Sequence, residues 1–368
     1  MSIKLTRKVN NYILNLYYFC ATNISYVRMN RILEVTPESR VVFGRATNLL
    51  PQLLPEGRVI AVIDARVDAL YPSLCGGFER IIIDGGEPSK SLASLERIYT
   101  ALIEKSADRG CFLLGVGGGV TTDVTGFVAS TYMRGVRFGF VTTTLLGAVD
   151  ASVGGKNGVN IGGYKNMVGT FSHPSFVICD AELFTTLPER EFRAGLAEVV
   201  KSAIIADERL FELLETTTLE ELRGGGALLD EIVERSLRVK ADVVRADERE
   251  SGLRRVLNLG HTIAHAIEKS VCGYNHGEAV AIGLCAVARI AVAERLLSSS
   301  DGSRIEKLLQ RFGFETALPL PVATLADAAV KDKKRAGDAL HIILPTAIGS
   351  VCDRPIGVES VVELLERV

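Results

Sequence analysis

Five polar residues in the second half of the chain follow one another at intervals of three or four. If this stretch forms one continuous helix, the intervals place all of them on a single stripe. Two are histidines four residues apart, a spacing that suits a metal or an anion, although a solvated helix face shows the same pattern. The residues are Arg254, Asn258, His261, His265 and Glu268.

The histidine pair reads HTIAH, with Thr262 where a zinc protease needs its general-base glutamate. The pattern therefore does not indicate a metalloprotease. A catalytic metal site needs further ligands and an open position. His276 lies in the loop that leads into the next apolar helix and supplies one candidate. For a carboxylate we select Glu198, beside the apolar face of an earlier predicted helix, where the alternative is an ordinary surface residue.

A glycine-rich turn in the first half of the chain is a candidate anion site. The apolar run Cys111–Val116 leads into three glycines at 117–119, and Thr121–Asp123 then opens a predicted helix. Bare backbone amides at a helix N-terminus suit a pyrophosphate. Val120 stands where the GxGxxG fingerprint needs its last glycine, so a simple tight turn is the alternative. Asp64, at the end of an earlier apolar run, is either a ribose ligand or a turn residue.

Two lysines, Lys156 and Lys165, lie among glycines where a backbone approaches a ligand closely. Their ammonium groups suit a phosphate. The segment is not a Walker loop, because Asn157 follows Lys156 where that motif has Ser or Thr.

The elements that must hold these residues change character near residue 185. Before it, the apolar runs Val59–Ile63, Arg80–Ile83 and Cys111–Val116 alternate with a helical stretch, Leu92–Glu104, which predicts a parallel α/β sheet. After it, the pattern has a helical period, beginning at a capping-box sequence, Thr186-x-x-Glu189. We predict an α/β domain at 29–185 and a mostly α-helical domain at 186–368. Residues 1–28, which hold four basic and no acidic residues, are expected to be a disordered or non-native extension.

Composition limits the classes of partner. The 368 residues carry 42 basic and 44 acidic side chains, a net charge of −2, which gives no general field for nucleic acid. Seven cysteines without a CxxC pair predict reduced thiols and a cytoplasmic location. No window offers the roughly 20 apolar residues of a membrane span, so we expect no membrane partner.

From about Met29 to its C-terminus the sequence resembles the 3-dehydroquinate synthases of the shikimate pathway. The motifs span both predicted domains in the order of that family. They are GGEPSK (85–90), GGGVTTD (117–123), YMRG (132–135), TTLL (143–146), VDASVGGK (149–156), KNMVG (165–169), LPEREFRAGLAEVVK (187–201), VKADVV (239–244), DERESGLRRVLNLGHTIAH (247–265), HGEAVAIG (276–283) and DKK (332–334).

The resemblance implies a Rossmann-like N-terminal domain, a helical C-terminal domain, a homodimer, and NAD and zinc as cofactors, with cobalt as an alternative metal. It assigns the metal to Glu198, His261 and His276. It assigns NAD to Asp64, Glu87, Lys90, Gly118, Gly119, Asp123, Thr143, Thr144, Lys165 and Thr186. It assigns the substrate shell to Asp150, Lys156, Asn166, Lys201, Lys240, Arg254, Asn258, His265 and Lys333, with Arg134 reaching in from a second subunit. Glu250 and His265 match positions with proton-transfer or closure roles.

The reaction implied is conversion of 3-deoxy-D-arabino-heptulosonate 7-phosphate, a phosphorylated sugar acid, into 3-dehydroquinate and phosphate. It proceeds by transient NAD-dependent oxidation, phosphate elimination, reduction and aldol closure. The alternatives are another sugar-phosphate cyclase and a metal-dependent NAD alcohol or glycerol dehydrogenase of the same fold superfamily. Thr122, Thr142 and Tyr164 depart from the usual family pattern on the cofactor side.

Overall fold

The computed structural model describes residues 31–325, 340–357 and 363–364. The predicted extension at 1–28 and the predicted substrate residue Lys333 lie outside this range. The described chain forms two compact units that interleave in sequence. The first, which we call the sheet unit, comprises 31–199 and 217–254, and the second, the helical unit, comprises 200–216 and the described residues from 255 onward. The single boundary predicted at residue 185 stays a prediction.

The sheet unit is built on seven strands in the spatial order β1-β2-β9-β6-β5-β3-β4. All neighbouring pairs are parallel except β1 and β2, which form an antiparallel hairpin at one edge. The strands are β1 (Ile32–Thr36), β2 (Ser39–Phe43), β3 (Val59–Asp64), β4 (Glu79–Ile83), β5 (Phe112–Gly117), β6 (Arg137–Thr142) and β9 (Phe176–Cys179). This sheet confirms the parallel α/β prediction, and the three predicted strands agree with β3, β4 and β5 to within one residue at each end.

The central strands form because their residues are apolar on both faces. β5 and β9 are buried along their whole length, as expected of parallel strands covered by helices. The helices are α1 (Ala46–Leu53), α2 (Ala65–Leu70), α3 (Leu92–Glu104), α4 (Gly119–Thr131), α5 (Glu189–Ala206), α6 (Glu208–Thr216), α7 (Leu219–Arg223), α8 (Ala227–Ala246), α9 (His261–Ser270), α10 (His276–Ala293) and α11 (Ser299–Arg311).

Helix α3 has the bounds predicted from the sequence, and Ser91 caps its N-terminus. Helix α5 begins at Glu189. The hydroxyl of Thr186, predicted to cap it, instead contacts the hydroxyl of Tyr71 at 2.8 Å and the carbonyl of Leu183 at 3.4 Å. The chain between α4 and β9 adds a separate hairpin, β7 (Lys156–Ile161) and β8 (Tyr164–Phe171).

The helical unit contains the C-terminal half of α5, α6, α9, α10, α11 and the hairpin of β10 (Leu340–Ala347) with β11 (Ser350–Ile356). Helix α10 is long and apolar enough to cross a membrane by composition alone. Because 72% of it is buried within the protein, it is explained as a core helix. Helices dominate this part of the chain, which confirms the prediction of a mostly α-helical C-terminal half.

The condition of one continuous helix from Arg254 to Glu268 is not met. The segment Leu253–Asn258 is a 3-10 helix, and α9 begins only at His261. Gly260 separates them in a left-handed conformation, with φ of 77°. A Cβ at Gly260 would lie 2.9 Å from the backbone nitrogen of Leu284 on α10. The chain therefore turns where only glycine allows α9 and α10 to approach so closely.

Candidate active site

Three side chains from distant parts of the sequence bring metal-ligating atoms together. One carboxylate oxygen of Glu198 and one ring nitrogen each of His261 and His276 lie within 4.8 Å of one another. Glu198 lies on α5, and the histidines are the first residues of α9 and α10. One carboxylate and two imidazoles are a typical donor set of a catalytic zinc site. This chemistry fits the metal that the sequence predicts.

The surroundings of these residues orient them for such a role. Glu198 is 1% exposed, so an ion beside it would be held in a medium of low dielectric constant. Nδ1 of His261 lies 3.2 Å from the carbonyl oxygen of Leu259, a contact in which the ring nitrogen donates, so in the neutral imidazole Nε2 carries the lone pair that a metal would take. His276 follows Asn275, which caps α10 in a reciprocal capping box with Glu278.

Two other members of the predicted stripe lie close to the histidines. The ring of His265 stands edge-on to that of His261, with centroids 5.5 Å apart. A carboxylate oxygen of Glu268 lies 3.7 Å from Nδ1 of His276. Although no continuous helix spans the stripe, α9 alone therefore keeps both histidines of the HTIAH pair near the donor cluster.

The predicted cofactor residues follow the carboxyl ends of parallel strands. Asp64 ends β3, Gly118 and Gly119 follow β5, and Thr143 and Thr144 follow β6. The strand order reverses between β3 and β5, since β4 lies beyond β3 while β6 lies beyond β5. Ligands of open α/β sheets bind in the crevice at such a reversal.

Backbone and side-chain details at this edge of the sheet fit a bound dinucleotide. Gly118 is the N-terminal cap of α4, so the helix presents backbone N–H groups and not a capping side chain. A Cβ at Gly118 would lie 2.8 Å from Thr144, and one at Gly119 would lie 3.0 Å from Ala151. The hydroxyl of Thr143 is buried without a hydrogen-bond partner among the described residues. A ligand hydroxyl or phosphate would satisfy it.

Lys90 and Asp123 form a buried ion pair near the start of α4. Burial raises the pKa of Asp123 to about 6, against the lowering effect of the Lys90 ammonium. Glu87 accepts a hydrogen bond from Asn160 at 2.7 Å. Glu87 and Lys90 lie in the same short turn, and the ion pair of Lys90 with Asp123 joins this turn to α4. The structure therefore brings these three predicted cofactor residues into one region.

The carboxylate of Asp64 already has contacts within the sheet unit. Oδ1 of Asp64 accepts from the backbone N–H of Arg66 at 2.8 Å and caps α2, which is the turn role considered for it from the sequence. Its second carboxylate oxygen lies only 2.2 Å from the position that a Cβ of Gly85 would occupy. The side chain is therefore packed against the GGEPSK turn, and a ribose contact by Asp64 stays a prediction.

Two predicted substrate lysines of the sheet unit are already paired with acids. Lys240 on α8 is buried, and its ammonium donates to the carboxylate of Asp150 at 2.5 Å and to the carbonyl of the same residue. Lys156, at the start of β7, is more exposed and donates to the carboxylate of Glu250. The Lys240 ion pair is buried, whereas the Lys156 ion pair is exposed enough for an incoming anion to compete for the ammonium.

Arg254 is held by a loop that follows α8. Its guanidinium donates to the carbonyl of Gly154 at 3.0 Å and to the carbonyl of Glu248, and its backbone N–H donates to Asp247 at 3.0 Å. Burial acts to raise the pKa of Asp247, but hydrogen bonds from the backbones of Arg254, Ser251 and Gly252 outweigh it and hold the pKa at about 2. Asp247 therefore fixes the loop that carries both Glu250 and Arg254.

The remaining predicted residues occupy several elements. Lys201 is 3% exposed and follows Glu198 by one turn of α5. Asn258 ends the 3-10 helix before Gly260, and Lys165 and Asn166 open β8, with Asn166 at φ of 56°. Arg134 is exposed and also left-handed, with φ of 69°. Thr122, one of the departures from the family pattern, donates to the carbonyl of Gly119 at 2.9 Å within α4.

Sequence reasoning missed three residues that organise these elements. They are Asp247, Asn160 and His173. Nε2 of His173 lies 2.8 Å from the position that a Cβ of Gly155 would occupy, and it contacts the carboxylate of Glu248 at 3.0 Å. The signal available for Asp247 was its position at the end of a long helix before Ser251 and Gly252, a typical loop-capping context. Nothing local in the sequence identifies Glu87 as a partner of Asn160 or Glu248 as a partner of His173, because these pairs lie 73 and 75 residues apart.

Comparison with known proteins gives a consistent result over most of the chain. Residues 80–194 match the sequence profile described as 3-dehydroquinate synthase N-terminal, and residues 195–335 match the profile described as 3-dehydroquinate synthase C-terminal. A 3-dehydroquinate synthase of Synechococcus sp. is 46% identical over 278 residues, which cover 74% of this chain and 75% of that protein. The 3-dehydroquinate synthase of Desulforamulus reducens is 43% identical over 335 residues, covering 88% and 93%.

A solved structure shares the fold. The 2-epi-5-epi-valiolone synthase of Streptomyces hygroscopicus, solved with NAD⁺ and Zn²⁺ bound, superposes with a TM-score of 0.81 at 28% identity. The alignment covers 93% of this chain and 100% of that one. The agreement in fold confirms the predicted combination of an α/β part and a helical part.

Proposed function

The chain belongs to the 3-dehydroquinate synthase family, and we propose that its own residues convert 3-deoxy-D-arabino-heptulosonate 7-phosphate into 3-dehydroquinate and phosphate. The observation that carries this proposal is the convergence of Glu198, His261 and His276 on one point. One carboxylate oxygen and two imidazole nitrogens within 4.8 Å of one another form the donor set that a catalytic metal needs.

These three residues would hold the zinc ion, or cobalt, and the carboxyl edge of β3, β5 and β6 would hold NAD. When bound, the cofactor supplies a reversible hydride acceptor, and the metal lowers the pKa of a substrate hydroxyl. The remaining residues bind, orient and exchange protons with the substrate. The Nδ1 contact of His261 with Leu259 keeps the imidazole in the tautomer that a metal needs.

The basic residues would form two groups, one that binds the substrate phosphate and one that binds the substrate carboxylate. Lys156, Asn166 and Arg254, with Lys333, would surround the phosphate, and Lys201, Lys240 and Arg254 would meet the carboxylate. The Lys156 ammonium contacts the Glu250 carboxylate, so a bound phosphate would compete with Glu250 and release it. A released carboxylate beside the leaving phosphate is placed to accept or return a proton, and we assign this role to Glu250, with His265 assisting.

We also propose that the protein acts as a homodimer in the cytoplasm. The odd-numbered face of β8 supports a homodimer, because Met167 is 66% exposed and Phe171 is 50% exposed. Met133, next to Arg134, is 45% exposed. Large apolar side chains exposed in this way are typical of a surface covered by a partner. Arg134 would then reach the active site of the second subunit.

The decisive experiment incubates the purified protein with NAD and the heptulosonate phosphate and measures phosphate release before and after metal chelation. We expect stoichiometric phosphate and 3-dehydroquinate with no net NADH, and loss of both products on complete metal removal. Net NADH formation would indicate the alcohol or glycerol dehydrogenase alternative. Turnover of a heptulose 7-phosphate that lacks the carboxylate, in preference to the acid, would indicate another sugar-phosphate cyclase.

A further inference from the structure

Asn160 occupies an irregular position in the β7–β8 hairpin. Val159 pairs with Val168 and Ile161 pairs with Tyr164, so a single residue of β7 faces three residues of β8. Irregularities of this kind bend a strand and re-aim the side chain at that point. Here the three opposing residues include Lys165 and Asn166, which the proposed function places in the cofactor and substrate sites.

The amide of Asn160 bonds two separate segments at once. Its Nδ2 donates to Oε1 of Glu87 at 2.7 Å, and its Oδ1 accepts from the backbone N–H of Asn166 at 3.0 Å. Its own backbone N–H donates to the carbonyl of Lys90 at 2.8 Å. Glu87 and Lys90 belong to the GGEPSK turn, so Asn160 connects this turn to the start of β8.

An amide can serve both partners only in one orientation, because its donor and acceptor point in different directions. A movement of Glu87 that turned the amide would therefore change the bond that the Asn166 N–H donates to it. Asn166 has a φ of 56°, in the left-handed region that asparagine adopts more readily than most residues other than glycine. The hydrogen bond from its N–H stabilises that conformation.

We propose that Asn160 is a positioning residue that couples the cofactor site to the substrate phosphate site. This inference rests on the proposed function, which assigns Glu87 and Lys90 to the cofactor and Asn166 to the phosphate. Coupling between two ligands is reciprocal, so each strengthens the binding of the other by the same factor. Asn160 touches neither ligand in this scheme and acts through the residues that do.

The coupling is measured at equilibrium with NADH, which cannot accept hydride, so that no turnover occurs. The NADH dissociation constant is determined by fluorescence with and without saturating heptulosonate phosphate, and the ratio of the two values is the coupling factor. We expect a factor of about five or more for the unmodified protein, the lower range for coupled sites. Asn160→Ala, which removes both side-chain bonds, should bring it close to one.

Two further variants separate coupling from general damage. Asn160→Asp keeps an acceptor for Asn166 but sets a carboxylate against that of Glu87, and should also lower the factor. Adding Glu87→Gln to Asn160→Asp restores the bond with its donor reversed, and should recover at least half of the lost coupling, on a logarithmic scale. Thr170→Ala is the matched control, because it removes a hydrogen bond of the same hairpin, to Ser130, and should leave the factor unchanged.

The proposal is overturned if Asn160→Ala and Asn160→Asp weaken NADH binding equally with and without the sugar phosphate, since the factor then stays constant. It is also overturned if Glu87→Gln gives no recovery in the Asn160→Asp background. The comparison of Asn160→Asp with the Asn160→Asp, Glu87→Gln double variant still tests the proposal if Asn160→Ala fails to fold. Failure of the proposed function looks different, because the unmodified protein would then bind no heptulosonate phosphate at all.

Discussion

The metal ligands and the phosphate-side residues are fixed in place by different means. Glu198 lies within α5, and His261 and His276 each begin a helix whose apolar face is buried. By contrast, Asn166 lies where the pairing of β8 with β7 is irregular, and Glu250 lies in a loop, both left-handed with φ of 56° and 60°. The first group depends on helix packing, and the second depends on polar contacts made by loops.

This difference predicts that substitutions in the two groups will have different consequences. A metal ligand can be removed while its helix stays packed, so the chemistry is lost and the fold remains. A loop residue such as Glu250 takes its position from neighbouring hydrogen bonds, above all those of Asp247. Changes there should alter geometry, stability and pH response together.

The largest effect is expected at the metal ligands. His261→Ala should lower kcat by about 10³-fold or more, because a bound metal supplies several kcal/mol of charge stabilisation. Zinc content, measured on the purified protein, should fall in parallel, and the thermal unfolding of the metal-free protein should change little. His341→Ala is the matched control, since this histidine lies on β10 and pairs with Asp353. A His261 variant that retains zinc would contradict the assignment.

The contrast between helices and loops also explains what the sequence could predict. The strands and α3 follow directly from apolar runs and spacing, and HTIAH is confined to the single helix α9, so its spacing was informative. The continuous stripe failed at Gly260, because close packing of α9 against α10 decides that turn and no local pattern reveals it.

The glycine-rich surroundings of Lys156 indicated a phosphate site, but Glu250, Lys240 and Asp150 could be located only through resemblance to a family. The contact of Lys156 with Glu250 joins positions 94 residues apart, and that of Lys240 with Asp150 joins positions 90 apart. Periodicity carries no information at such distances. Asn160 and His173 were missed for the same reason, since their roles depend on where the fold brings Glu87 and Glu248.

The next largest effect is expected for Lys156. Lys156→Ala should lower kcat/KM by about 10²-fold, because the ammonium meets charge on the departing phosphate. Lys105→Ala, which removes an ammonium 3.7 Å from Glu79, is the control and should retain normal kinetics. A near-normal kcat/KM for Lys156→Ala would remove this residue from the phosphate site.

Asp247 tests the dependence of the loop on polar contacts. Asp247→Asn leaves fewer acceptors for the N–H groups of Ser251, Gly252 and Arg254, and should destabilise the protein by about 1–3 kcal/mol in denaturant unfolding. Misplacement of Arg254 and Glu250 should also lower kcat/KM by about 30-fold. Asp242→Asn, which affects an ion pair with Arg245 within α8, is the control. Unchanged kinetics with reduced stability would show that Asp247 is only structural.

The smallest effect is expected in the pH dependence of stability, to which Asp247 and Asp123 contribute with opposite signs. The pKa of Asp247 is lowered to about 2, so its contribution to stability is complete above about pH 4 and is lost as the pH falls towards 2. The pKa of Asp123 is raised to about 6, so the folded protein binds this proton more tightly than the unfolded chain does. Its ionisation therefore lowers stability as the pH rises from about 4 to 6.

Cofactor binding should respond to Asp123 in the opposite sense to stability. Below pH 6 the protonated carboxyl no longer holds the Lys90 ammonium in place, so the NADH dissociation constant should rise between pH 7 and pH 5, by about tenfold at most. The pH profile of NADH fluorescence titrations measures this rise. Asp123→Asn should bind more weakly at pH 7 and show no rise over the same interval. A profile with the same inflection in both proteins would assign the titration to another group.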